Sequence, residues 1–162
     1  MKLGKWLENW DMTSLKINAH FLEMEWSPSE PDKEAAWDLY VEMLTRIVTQ
    51  PLAVADGDEA AALESVYSLF PTTRAIAKEH GREAMEFAKV AVVVLNQVVR
   101  PFTSKWHRRS LAGAFKDEAS RNEFRKELRA LQDVLITYTA MLADMAGIEN
   151  LTALEKAKGD DS

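Results

Sequence analysis

A stretch of basic residues is the part of this chain whose residue types point most directly to chemistry. Between Val90 and Lys116 the sequence contains five Lys or Arg side chains and no Asp or Glu. The whole chain of 162 residues is acidic, with 26 acidic and 20 basic residues and a formal net charge of −6. A local excess of positive charge in an acidic chain is a place where an anion can dock. We call this stretch the basic island, and its cations are Arg100, Lys105, Arg108, Arg109 and Lys116.

An aromatic side chain within the basic island indicates which kind of anion it would suit. Trp106 is surrounded in sequence by Lys105, His107, Arg108 and Arg109. An indole ring stacks on bases and on cations, while the neighbouring positive charges hold phosphate groups. The sequence therefore predicts these five residues as a binding site for an anionic ligand, either a nucleotide or RNA.

A second possibility is catalysis by Arg100 and His107, which are separated by six residues. An imidazole can transfer a proton near neutral pH, and a guanidinium group can hold a phosphate through two hydrogen bonds. This pair, in a chain with helical periodicity, resembles the HEPN family, whose ribonucleases carry an Arg, four to six residues and then a His. The resemblance implies a helical bundle, an RNA cleft formed by two copies, metal-independent cleavage by Arg100 and His107, and a toxin or antiviral role. It covers only this motif and the helical character, and Pro101 stands where those ribonucleases usually have a polar residue.

A purely structural interpretation of the same segment remains open. Pro101 predicts a break between two helices, so Arg100 would be partly buried and would neutralise the last carbonyl groups of the preceding helix. Phe102 and Trp106, four residues apart, would pack the connection between these two helices against the core. The polar side chains expected to be exposed around Trp106 are Lys105, His107, Arg108 and Arg109.

Helical periodicity dominates the N-terminal half of the chain. We expect a first helix over Thr13–Trp26, ended by the two prolines of residues 27–31. A second helix, capped by Ser29 or Asp32, ends before Pro51 and an Asp56-Gly57-Asp58 turn. The predicted buried face of the first helix is Leu15, Ala19, Leu22 and Trp26, and that of the second is Trp37, Tyr40, Val41, Leu44 and Val48.

Two further helices follow. The third begins at Asp58, is kinked or split by Pro71, and continues as Thr72–His80 to a C-cap at Gly81. The fourth, from Arg82 to about Val99, is apolar on nearly every side, which predicts a helix surrounded by others. The expected inner face of the third helix is Leu63, Val66, Tyr67 and Phe70.

The fifth helix has the most regular pattern. Seven apolar residues from Phe124 to Met145 follow the alternating spacing of 4 and 3 of a heptad seam. We expect this seam to pack against the fourth helix or against a second copy. The residues of the seam are Phe124, Leu128, Leu131, Leu135, Tyr138, Leu142 and Met145.

Two apolar surfaces are candidates for protein association. Trp6 and Trp10 lie on one helical face with Leu3 and Leu7, which either packs onto the bundle or forms an interface. The candidate interface residues are Trp6, Trp10, Phe124, Leu128, Leu131 and Leu135.

These patterns together predict an all-α, five-helix, largely antiparallel bundle in one domain over residues 1–147, followed by a polar and flexible tail over residues 148–162. The chain has no cysteine, no apolar run of membrane-spanning length and no Glu-x-x-His pair, and its three histidines lack metal-ligand spacing. We therefore expect a cytoplasmic protein with no membrane, metal or cofactor. Its expected function is that of an accessory protein, acting as a homo-oligomer or as a subunit of an assembly, and the alternative is a HEPN-like ribonuclease.

Overall fold

The computed structural model describes residues 1–53 and 58–154. Of the described residues, 73% are helical, and these residues contain no β-strand, only an isolated bridge between Lys2 and Glu25. The predicted all-α bundle is confirmed. Its helices are α1 (Leu3–Asn9), α2 (Ala19–Leu22), α3 (Glu30–Leu44), α4 (Glu59–Tyr67), α5 (Leu69–His80), α6 (Met85–Val94), α7 (Arg100–Leu111) and α8 (Glu118–Ala146).

The centre of the bundle is α8. All seven residues of its heptad seam are buried, as the spacing predicts, and Gly147 ends the helix in the left-handed conformation. The expected packing partner is wrong, because α8 packs most extensively against α3 rather than against the fourth predicted helix. Ala35 and Ala36 of α3 are fully buried, and such small side chains allow two helices to approach closely.

The heptad seam therefore packs against other helices of the same chain. Phe124, Leu128, Leu131 and Leu135 are buried in its own core. The prediction that these four residues form an interface with a partner is therefore wrong. The physical reason is that α3 already covers the apolar stripe that a second copy would need.

The N-terminal tryptophans also pack onto the bundle. Trp6 is buried, its ring stacks on that of Trp26 at a centroid distance of 4.3 Å, and its Nε1–H donates to Asp144 at 2.8 Å. Trp10 is half-buried against the same core. Of the two alternatives for this face, packing onto the bundle is the one found, and Trp6 is not presented to a partner.

The predicted buried face of α3 is rotated from the observed one. Trp37 and Val41 are exposed by 47% and 39%, contrary to expectation. The cause lies at the start of the helix, where Ser29 and Asp32 form a capping box. Asp32 is buried and its Oδ1 accepts a hydrogen bond from the backbone N–H of Phe87 at 2.9 Å, so turning Trp37 inward would break this contact.

The first predicted helix is the largest error in the secondary structure. Of Thr13–Trp26 only Ala19–Leu22 is helical. The Asn18 side chain accepts from the backbone N–H of His20 and so begins the helix there. Before it, the backbone N–H and C=O of Lys16 bond to the Gln97 side chain, both at 2.8 Å, and this long-range pair replaces intrahelical bonds.

The segment around Pro101 is continuous helix, and the predicted break there is wrong. A π-helical turn over Leu95–Val99 joins α6 to α7. A proline ring clashes with the carbonyl of residue i−4 in a regular α-helix, and a wider turn relieves this clash. Arg100 therefore lies inside a helix, where there are no terminal carbonyl groups for it to neutralise.

The middle helices match the expectation in part. Asp58 caps α4 and Gly81 ends α5 with a φ of 70°, as predicted, but the split falls at Ser68 rather than at Pro71. Tyr67 is exposed by 57%, so it is not on the inner face. Val92 is exposed by 54%, so the fourth predicted helix is not surrounded on all sides.

The segment that follows α8 runs alongside α3. The backbone N–H of Leu151 donates to the Tyr40 hydroxyl oxygen at 2.6 Å. Residues 155–162 of the predicted tail, and Asp56 and Gly57 of the predicted turn, lie outside the described residues. The domain boundary at residue 147 stays a prediction. No helix in the described part of the chain combines the length and apolarity needed to cross a membrane.

Candidate functional site

The helix α7 divides the basic island into two faces. On the face turned towards α8, Lys105 lies 2.5 Å from Glu127 and 3.5 Å from Glu123, while Arg109 lies 2.9 Å from Glu123. The hydrogen bond to Glu127 raises the pKa of Lys105, and the hydrogen bond from Arg109 lowers the pKa of Glu123. These two cations are neutralised by α8, so their predicted role in binding an anion is not supported by their surroundings.

Trp106 does not belong to the binding site in which the sequence places it. Its side chain is fully buried, and its Nε1–H donates to Glu127 at 2.6 Å. The ring contacts Phe124 edge-on at a centroid distance of 5.2 Å and stacks on Phe115 at 6.1 Å. A buried indole needs a partner for its N–H group, and Glu127 supplies it. Trp106 is therefore a core residue and cannot stack on a ligand.

The opposite face of α7 carries Arg100, Thr103, His107 and Ser110, which recur at the three- and four-residue spacing of one helical stripe. Arg100 is exposed, contrary to the expected partial burial, and His107 is exposed as expected. The Arg100 guanidinium bonds to Asn96 at 3.0 and 3.2 Å and lies 4.7 Å from the centroid of the Phe70 ring. Within residues 1–53 and 58–154, no carboxylate lies within ion-pair distance of Arg100.

This stripe borders a cavity between α4 and α7, which we call the α4–α7 groove. Its volume is about 520 Å³, within the range of roughly 300–1,000 Å³ that is typical of ligand pockets. The lining is mixed, with apolar side chains and with polar side chains from both α4 and α7. The lining residues are Ala60, Leu63, Glu64, Tyr67, Thr103, His107, Ser110 and Phe115.

One end of the α4–α7 groove is cationic. Phe70, the ring covered by Arg100, lies 5.7 Å from the ring of Tyr67 between centroids. Arg74 follows Phe70 by four residues on α5, a spacing at which residues are neighbours on a helix. Arg74 is exposed, and the described residues provide no carboxylate partner for it. The Arg100 guanidinium therefore covers Phe70 beside the exposed Tyr67 ring, and Arg74 is a second exposed cation one turn further along α5.

The groove and the cations near it combine three kinds of group that a nucleotide requires. Arg100 and Arg74 can hold phosphate oxygens through charge-assisted hydrogen bonds. The exposed ring of Tyr67 can stack on a base. Glu64 is exposed on the α4 side and His107 on the α7 side, so both a hydrogen-bond acceptor and an imidazole ring line the cavity.

Arg108 belongs to neither face. It is exposed, and like Arg100 it has no carboxylate within ion-pair distance among the described residues. The predicted five-residue site is thus dispersed: His107 lines the groove, Lys105 and Arg109 face α8, Trp106 is in the core, and Arg108 points elsewhere on the surface.

Sequence reasoning missed the residues of α4 and α5 that complete the groove. The apolar spacing of Tyr67 predicts a buried position, and Glu64 and Arg74 belong to no motif. A usable signal was present on α7, because the polar residues Arg100, Thr103, His107 and Ser110 follow helical spacing and share one face. That pattern becomes readable only when α7 is known to continue through Pro101.

Comparison of the chain with protein-family models, curated proteins and solved structures found no match. The function of the chain is therefore inferred from the geometry of the α4–α7 groove.

Proposed function

We propose that this protein binds a nucleotide or a short single-stranded segment of RNA in the α4–α7 groove. The observation that carries the proposal is the division of the basic island. Arg100 and His107 lie exposed on one face beside Tyr67, whereas Lys105 and Arg109 are neutralised on the other. An exposed aromatic ring next to unpaired cations is the usual composition of a single-strand binding surface.

The charge of the whole protein restricts this binding to the groove. A net charge of −6 repels a polyanion from most of the surface, so only a local cationic site can attract it. A nucleotide or RNA ligand also agrees with the cytoplasmic location expected from a chain without cysteine. Binding through a few phosphates should be strongly salt-dependent, because each neutralised phosphate releases counterions.

The binding prediction is tested by fluorescence anisotropy with a labelled single-stranded RNA oligomer at low ionic strength. We expect the wild-type chain to bind and Arg100→Gln to bind at least about tenfold more weakly, since a hydrogen bond to a charged group contributes about 1.5–3 kcal/mol. Arg100→Gln should also reduce the salt dependence by about one phosphate contact. The matched control is Arg129→Gln, which removes the same charge from an exposed position on α8.

The outcome of this titration decides the proposal. Equal weakening by Arg100→Gln and Arg129→Gln would mean that only the net charge matters. No binding of RNA or of mononucleotides at low salt would contradict the proposal outright.

A second candidate is a metal-independent ribonuclease of the HEPN type. The supporting observation is that Arg100 and His107 share one exposed face, two helical turns or about 10 Å apart along the axis. A phosphodiester lying between them would have a guanidinium on its oxygens and an imidazole placed for proton transfer. This candidate includes the expected association of two copies, and the exposed apolar side chains of Phe21, Met24, Met85 and Val92 offer a surface for it.

The ribonuclease candidate predicts cleavage of total RNA in the presence of a chelator, and a dimer in sedimentation equilibrium. His107→Gln should abolish cleavage while leaving RNA binding largely intact, because imidazole chemistry and phosphate attraction are separate contributions. His20→Gln, at another exposed histidine, is the control. RNA that is bound but not cleaved would rule out the ribonuclease and leave the binding proposal standing.

A further inference from the structure

A histidine with three nearby carboxylates lies where α5 ends beside α3. His80 is the last residue of α5, and its Nε2 lies 2.6 Å from Asp38. Its Nδ1 lies 3.9 Å from Glu34, one helical turn before Asp38 on α3. Potential ligand atoms of Asp38, Glu79 and His80 all lie within 4.8 Å of one another.

We propose that Asp38, Glu79 and His80 bind a divalent transition-metal ion of the Zn²⁺ class, with Glu34 orienting the imidazole. The spacing of the histidines along the chain predicts no metal site. These ligands come instead from two helices that meet only in the folded bundle, so no local motif contains them.

A carboxylate lies near each ring nitrogen of His80. Glu34 is 3.9 Å from Nδ1, and after side-chain rotation it can accept a hydrogen bond from Nδ1–H while Nε2 binds the ion. A neutral imidazole has only one N–H group, so in the metal-free protein Nε2–H donates to the Asp38 carboxylate at 2.6 Å. Binding of an ion to Nε2 requires this proton to move to Nδ1. Metal-ligating histidines commonly donate their second ring nitrogen to a carboxylate in this way.

The charge of the cluster favours a dication over a proton. Three carboxylates surround a single imidazole, and among the described residues no Lys or Arg forms an ion pair with Glu34, Asp38 or Glu79. One added proton leaves the cluster negative, whereas a divalent ion neutralises most of the remaining charge. Carboxylate and imidazole ligands are those that Zn²⁺ accepts.

The distances require only side-chain rotation. Ligand atoms at about 2.0–2.2 Å from a tetrahedral ion lie about 3.3 Å from one another, so the Asp38 carboxylate must move away from Nε2, from which it is now 2.6 Å distant. Glu79 is exposed and can rotate towards the same point. The side chain of His80 is only 13% exposed and that of Asp38 is 39% exposed, so the site has one covered side and one side open to solvent. Water can occupy the fourth position there.

The test is a zinc titration of the chelator-treated full chain by calorimetry, followed by thermal unfolding, with no RNA present. We expect one bound Zn²⁺ per chain and a higher Tm with the ion, since a ligand that binds only the folded state stabilises it. Glu79→Gln should abolish binding without changing the Tm of the metal-free protein, because Glu79 is exposed and has no hydrogen bond among the described residues. Glu34→Gln should weaken binding by about 10–100-fold.

His20→Gln is the control for zinc held by any exposed histidine, and it should bind as the wild type does. Unchanged zinc affinity in Glu79→Gln, or loss of affinity in His20→Gln, would overturn the proposed site. The absence of any zinc binding by the wild-type chain would overturn it as well. Since Glu79→Gln leaves the His80–Asp38 contact in place, loss of zinc binding in this variant cannot be explained by unfolding.

Discussion

Replacing Trp106 with alanine is expected to lower the free energy of unfolding by about 3–5 kcal/mol, the usual cost of removing a large aromatic side chain from a core. The indole is fully buried and contacts both Phe115 and Phe124. Its removal would also take away the hydrogen bond from the indole N–H to Glu127, which would then be bonded to α7 through Lys105. The measurement is denaturant unfolding followed by circular dichroism.

The control for Trp106→Ala is Leu111→Ala on the same helix. Leu111 is 77% exposed, so this substitution should change the unfolding free energy by no more than about 0.5 kcal/mol. If Trp106→Ala were as stable as Leu111→Ala, the indole would be at the surface, and the assignment of the two faces of α7 would be wrong.

The parts of the fold that the sequence predicts well are those determined by neighbours in the chain. The α8 seam repeats at helical spacing over its whole length, and Ser29, Gly81 and Gly147 mark helix ends through local backbone and capping preferences. Each signal lies within one element, so no knowledge of the rest of the bundle is needed to read it.

The errors have a common origin in contacts between distant segments. The rotation of α3 depends on Asp32 bonding to the backbone of Phe87. The loss of helix before Asn18 accompanies the bonds between Lys16 and Gln97. Neither contact produces a hydrophobic repeat in the sequence. Hydrophobic spacing alone therefore predicts Trp37 in the core and Leu15 in a helix.

In the candidate site, too, local features could be predicted from the sequence, whereas contacts between distant segments could not. The position of the basic island, and the exposure of His107, could be predicted from composition and order along the chain. The separation of its cations could not, because it is caused by Glu123 and Glu127, which belong to α8. The contribution of Tyr67 was hidden for a related reason, since its apolar spacing resembled that of a core residue.

Tyr67 provides the second prediction with a large effect. Its ring is 57% exposed at the cationic end of the α4–α7 groove, so a base bound there should stack on it. Stacking of a base on an aromatic side chain contributes about 1–3 kcal/mol, which corresponds to a loss of roughly 5–150-fold in affinity for Tyr67→Ala. Tyr67→Phe keeps the ring and should keep most of the affinity, and neither substitution should affect stability strongly at so exposed a position.

The affinity of Tyr67→Ala for single-stranded RNA, measured beside that of Arg109→Gln, tests most directly whether the ligand occupies the α4–α7 groove. Arg109 forms an exposed ion pair with Glu123, and such pairs contribute at most about 1 kcal/mol to stability, so both variants should remain folded. We predict that Tyr67→Ala loses RNA affinity while Arg109→Gln binds within about twofold of the wild type. Loss of affinity in Arg109→Gln together with normal binding by Tyr67→Ala would place the ligand on the α8 side of the basic island and contradict the groove.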